Sequence, residues 1–201
     1  MAITTNAELE TAVANWLHRS DLTSRIPEFV TLGETRLFRE LRVKDMESSF
    51  STAITSGTIT LPTSYVDLKY AYVDESPVTW LERKPAAWIF EKYPTRSSDG
   101  KPKFIARQAS TFIFGPYPDS TYTIAGVYYK NIGPVSSSAH ALFTNNPDLY
   151  LFGALLEAVP FLEDDKRVPL WLAKYNDSLT RLQGQSDREE YSGSTLAVRP
   201  G

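Results

Sequence analysis

NNPDLYLFGALLEAVPFLEDDKRV, residues 145–168, is the stretch that decides how this chain folds. Asn146 and Pro147 read as a helix cap and first turn. From Leu149 to Val159 only Glu157 carries a charge. A surface helix shows one apolar stripe, whereas a helix that is apolar nearly all round must be covered on nearly all sides. Pro160 ends or kinks it, because proline removes a backbone bond and crowds the preceding turn. The stretch falls short of the ~20 apolar residues that cross a bilayer. The fold must therefore supply partners for this helix.

Those partners lie at both ends of the chain. Downstream, VPLWLAKYNDSLTRL predicts a last helix with Val168, Trp171, Leu172, Tyr175, Leu179 and Leu182 on one face. Upstream, NAELETAVANWLHR repeats Leu9, Val13, Trp16 and Leu17 at helical spacing, with Asn6 as its N-cap. A second helix, PEFVTLGETRLFREL, carries Pro27 in its first turn and aligns Phe29, Val30, Gly33, Leu37 and Leu41. After Gln183 the apolar period stops, and the Gly/Ser-rich remainder reads as a mobile tail.

From Met46 the period changes to two. GTITLP (57–62), YVDLKYAYV (65–73), VTWLER (78–83), FIARQASTFIFGP (104–116) and TYTIAGVYYKN (121–131) are rich in β-branched and aromatic residues, as strands are. DESP reads as a hairpin turn between the second and third of these, and 104–116 as a further hairpin. One short helix, PAAWIFEKY, interrupts them, and GPVSSSAH is a connector.

These patterns predict an α+β fold. Its helical bundle is made from the N-terminal and C-terminal helix pairs, residues 1–47 plus 141–183. An antiparallel β module, residues 48–140, is inserted between the pairs, and residues 184–201 form a flexible tail. Gly153 would admit a neighbouring helix closely. Three amphipathic helices leave part of Tyr150, Phe152 and Leu156 to be covered, either by a neighbouring subunit or by the β module. These three residues are the subunit-interface candidates.

Chemistry is sparse. The absence of cysteine excludes disulfides, thiolate nucleophiles and Cys-type metal sites, and suits a cytosolic protein. The N-terminus reads as free of a signal peptide. A net charge of −3 disfavours nonspecific DNA binding, which needs surplus Lys and Arg. His18 and His140 are the only histidines, far apart in sequence. No phosphate loop, G-x-S-x-G or H-E-x-x-H motif occurs. Glu163–Asp165 reads as a carboxylate cap for the last helix, with Asp164 or Asp165 on its first N–H groups, rather than as a cation site. Lys92, Arg96, Lys101, Lys103 and Arg107 cluster in sequence, and Trp80 and Trp88 are the aromatics that would suit a sugar platform. No catalytic, cofactor or metal residue is assigned.

Three strings carry a family resemblance: DLTSRIPEFVTLGETRLFRELR (21–42), GTITLPTSYVDLKYAYV (57–73) and LFTNNPDLYLFGALLEAVPFLEDDKRVPLWLAKYNDSLTRL (142–182). In layout and local sequence they resemble the head-to-tail adaptor, or connector, proteins of tailed bacteriophages, and the tail-tubular-A-like proteins of short-tailed phages above all. The resemblance implies a non-enzymatic virion protein at the head–tail junction, made in the cytoplasm of the host bacterium. It implies a ring of typically twelve copies docked on the portal ring. Such a ring contacts the next tail component and continues the channel for genomic DNA without binding it specifically, with no membrane partner. It also gives the tail a role in portal docking through Tyr191, Leu196 and Val198, its sizeable anchors. The alternative function is a tail-associated module that recognises a host-surface carbohydrate through Trp80 or Trp88.

Overall fold

The computed structural model of this chain describes residues 2–191, apart from 96, 98, 99, 163 and 164 and the side chain of Tyr191. The fold is mixed α+β. It divides into two compact units, Met1–Asp45 with Ile132–Gly201, and Met46–Asn131.

The first unit is helical. Helix α1 (Asn6–Leu17) is capped one residue earlier than the sequence suggests. The Thr5 hydroxyl accepts the Glu8 N–H at 3.3 Å, and the Glu8 carboxylate accepts the Thr5 N–H at 3.0 Å. This reciprocal box satisfies two otherwise orphaned donors and leaves Asn6 inside the helix. Helix α2 (Ile26–Glu40) carries Pro27 in its first turn and buries Phe29, Val30, Gly33 and Leu37. Helix α4 (Ala141–Asn145) is a single short turn that leads into α5 (Pro147–Glu157). Every residue of α5 from Leu149 to Leu156 is buried. Helices α1, α2, α4 and the last helix, α6 (Val168–Tyr191), all pack on it. Each covered Leu or Phe contributes about 1.5–3 kcal/mol, so α5 is the hydrophobic axis of this unit. It ends ahead of Pro160, which lies in a 3-10 turn over Val159–Phe161.

Helix α6 departs from the sequence reading in two ways. Trp171, Tyr175 and Leu182 are buried, but Leu172 is 46% exposed. One residue turns the helix by about 100°, so Leu172 falls outside the narrow arc that the other three share. The helix also continues past Gln183 to Tyr191. Polar contacts replace the apolar period there: the Lys44 N–H donates to the Ser186 hydroxyl at 3.0 Å, and the Gln185 amide donates to Glu189 at 2.9 Å.

The second unit is a pair of four-stranded sheets. In the first, β1 (Glu47–Ile54), β8 (Tyr122–Lys130), β3 (Tyr65–Val73) and β4 (Thr79–Trp80) follow in that order. In the second the order is β2 (Thr58–Thr60), β7 (Thr111–Gly115), β6 (Phe104–Gln108) and β5 (Glu82–Arg83). The predicted strand 78–83 is split at Leu81. The Leu81 N–H donates to Ala71 in the first sheet, and the next N–H, of Glu82, donates to Lys103 in the second. The chain thus changes sheets there, and β5 lies parallel to β6, so this unit is mixed rather than purely antiparallel. Ile54, Leu68, Val73, Phe112, Phe114, Ile124 and Tyr128 form the shared core. The opposite face of β6–β7, with Ala106 and Ile113, is covered by Ile89 and Trp88 of α3 (Ala86–Lys92). Both faces of the FIF run are therefore dry, which explains why it does not alternate with polar residues.

Candidate functional site

The interface candidates on α5 are covered within the single chain. Tyr150 is 3% exposed, and its ring lies 5.1 Å from Phe143 and 5.9 Å from His140. Phe152 meets Trp16 of α1 edge to face at 5.6 Å, and Leu156 is 8% exposed. The Tyr150 hydroxyl has no hydrogen-bond partner among the described residues, and burial pushes its pKa up. Near it lies Glu34, the one buried charged residue among those described, at 4% exposure. Its carboxylate accepts the Val135 N–H at 2.8 Å, which ties the connector to α2. Burial raises the Glu34 pKa, and this hydrogen bond opposes the rise. The docking candidates Leu196 and Val198 lie outside the described residues, as does the Tyr191 side chain.

Among the described residues the histidines and carboxylates serve local structure. His18 closes α1 in the left-handed conformation. His140 caps α4, accepting the Phe143 N–H at Nδ1, and burial lowers its pKa. Asp165 accepts the Arg167 N–H at 2.8 Å and pairs with that guanidinium at 2.6 Å, which holds the turn into α6 and lowers the carboxyl pKa. Glu163 and Asp164 lie outside the described residues. Among the described residues no group of His, Cys, Asp and Glu is arranged to hold a metal.

The β unit carries an exposed aromatic cluster. Trp80 is 64% exposed and meets Tyr70 at 5.5 Å and Tyr72 at 5.7 Å, each edge to face. Beside these tyrosines, Ser49, Ser51, Asp74, Ala125 and Val127 line a hollow of about 310 Å³. Trp88 is no open platform: its ring lies 4.8 Å from Phe104 and beneath the Lys84 ammonium at 5.4 Å. The basic residues that cluster in sequence are dispersed. Lys92 ends α3, Lys101 pairs with Glu75, and Arg96 lies outside the described residues. Arg107 instead stands over the Tyr65 ring at 5.3 Å, where Arg83 and Lys84 join it around a hollow of about 220 Å³. Sequence reasoning missed Tyr70, Tyr72, Arg83 and Lys84, because pairing of β3 with β4 sets the two tyrosines beside Trp80, and the sheet change at Leu81 carries the two cations to β6. The alternation within YVDLKYAYV was the available signal for the two tyrosines.

The family model for the SU10 adaptor protein matches residues 4–199, and the chain belongs to that family. No curated protein matches it. Membership makes the protein a head-to-tail adaptor of a bacteriophage, a structural component of the virion. Among the described residues no helix is long and apolar enough to cross a membrane.

Proposed function

We propose that copies of this chain close into a ring that docks on the portal, continues the DNA channel and presents a platform to the next tail component. The family match across residues 4–199 carries this reading, because it embraces both terminal helix pairs and the β unit between them. A dodecamer, matching a twelve-fold portal, is the copy number that the resemblance implies. Contacts in such a ring are heterologous and close by rotation. The net charge of −3 fits a conduit that lets DNA pass, since surplus cations would grip its phosphates. The Trp80–Tyr70–Tyr72 cluster is the platform face, because exposed Trp and Tyr are the residues most enriched at protein interfaces. The same cluster supports the carbohydrate alternative less well. Tyr70 and Tyr72 lie nearly parallel, but Trp80 meets both edge to face, so the indole does not extend them into one flat stacking surface.

An amber mutation in the gene tests the role. DNA-containing heads that accumulate without tails are the expected product. Normally tailed particles that lack the protein would contradict it.

A further inference from the structure

The edges of the two sheets are not alike. Strands β4 and β5 have two residues each and β2 has three, so each offers little template for another chain. Strand β1 has eight. Its pairing with β8 runs unbroken from Glu47↔Tyr129 to Ile54↔Tyr122, with no bulge. It contains no proline and no lysine, and its single charge, Glu47, sits at the very start and pairs with Lys69 at 2.8 Å. From Ser48 to Ser64 the sequence carries no charge at all. Edge strands are ordinarily blunted by shortness, lysine, proline or bulges, and β1 has none of these. Alternate residues of an antiparallel edge turn their N–H and C=O groups away from the sheet.

The core also stops short at this edge. Phe50 packs against Phe112 and Tyr128, and Ile54 is 1% exposed. Thr52 lies between them on the same face and is nevertheless exposed. An added strand with apolar side chains two residues apart would cover that face.

We propose that β1 accepts Ser194–Val198 of a neighbouring copy as an added strand; this rests on the ring reading above. In STLAV, Leu196 and Val198 alternate with Thr195 and Ala197, the period of a strand with one apolar face. Gly193 precedes the segment and Pro200 follows it, the punctuation expected of a short strand. Its nearest charge, Arg199, lies just beyond, which suits a neutral acceptor. Only Ser192 and Gly193 separate the end of α6 from this segment, so the donor helix must end within about 10 Å of the acceptor edge. Leu196 and Val198 then fall on the face of Phe50, Thr52 and Ile54, and the main chain supplies the ladder. Donor and acceptor are different surfaces of one protomer, so the contact repeats around a ring. Pairing of β1 with a second β1 would instead stop at two copies.

Because the chain has no cysteine, engineered thiols report this contact cleanly. Ser51→Cys and Ala197→Cys are placed together in the full chain, which is then oxidised with and without the portal ring of the same genome. The expected result is a ladder of disulfide-linked multimers that Leu196→Asp with Val198→Asp abolishes. A cross-link confined to the monomer puts the segment on its own chain and overturns the proposal. So does a ladder that survives the double aspartate, or none at all. Portal binding is scored separately by native mass. Binding without a ladder keeps the ring reading and sinks this one, and a ladder without binding does the reverse.

Discussion

A Cβ built on Gly33 of α2 would lie 2.8 Å from the carbonyl carbon of Gly153 on α5, so the two helices cross at backbone contact. The relationship is not symmetrical. A Cβ on Gly153 would meet the Tyr175 ring at 3.5 Å and the Gly33 Cα at 3.7 Å, both ordinary contacts. Sequence pointed to Gly153 as the point of close approach, and the tighter requirement belongs to Gly33. Gly33→Ala is expected to cost about 3 kcal/mol, the upper range for overpacking a close contact. Gly153→Ala should be tolerated or stabilise by up to about 1 kcal/mol, the margin by which alanine favours a helix over glycine. Urea unfolding of both variants checks this, and equal losses would contradict the asymmetry.

Glu34 gives the helical unit a pH dependence. Burial raises its folded pKa above that of the unfolded chain, so between those two values the folded state binds the extra proton. Stability from this group is therefore fully present below the ordinary glutamate pKa and is lost as pH rises through the raised folded value. Glu34→Gln keeps an acceptor for the Val135 N–H and removes the titration. Melting temperature measured across the acid range should slope downward over that window in the parent and flatten in the variant. An unchanged slope would assign the effect to other groups.

Trp171 and Leu172 are neighbours with opposite surroundings, at 0% and 46% exposure. Trp171→Ala should destabilise by about 3–5 kcal/mol, through lost burial and the cavity left behind. Leu172→Ser should stay within about 0.5 kcal/mol of the parent, as surface changes usually do. Chemical denaturation of the two variants decides the matter. A large loss at Leu172 would place it against the core.

Trp80→Ala should leave folding intact, because the ring is 64% exposed. It should weaken attachment of tails to heads, scored by electron microscopy of particles from a complemented mutant phage. Normal attachment would remove the aromatic cluster from the platform.

Much of this was legible in the sequence, for definite reasons. The change from helical to strand period marks the α+β composition, and the YVDLKYAYV strand is found where its alternation places it. The all-round apolarity of 149–156 correctly signals complete burial. Periodicity could not reveal that Leu81 hands the chain from one sheet to the other, since a two-residue strand carries too little pattern. It also stopped the last helix at Gln183, because the final turns are held by Lys44, Ser186 and Glu189 rather than by an apolar face. The Trp80–Tyr70–Tyr72 cluster needs strand pairing across a turn, which spacing along one strand does not give.

The proposed function rests on a ring of this adaptor seated on the portal. Native mass spectrometry of the chain mixed with the portal protein of the same genome tests it most directly. A complex with one copy for each portal subunit is the expected result. A folded chain and an intact portal ring that form no complex under any solution condition would contradict it.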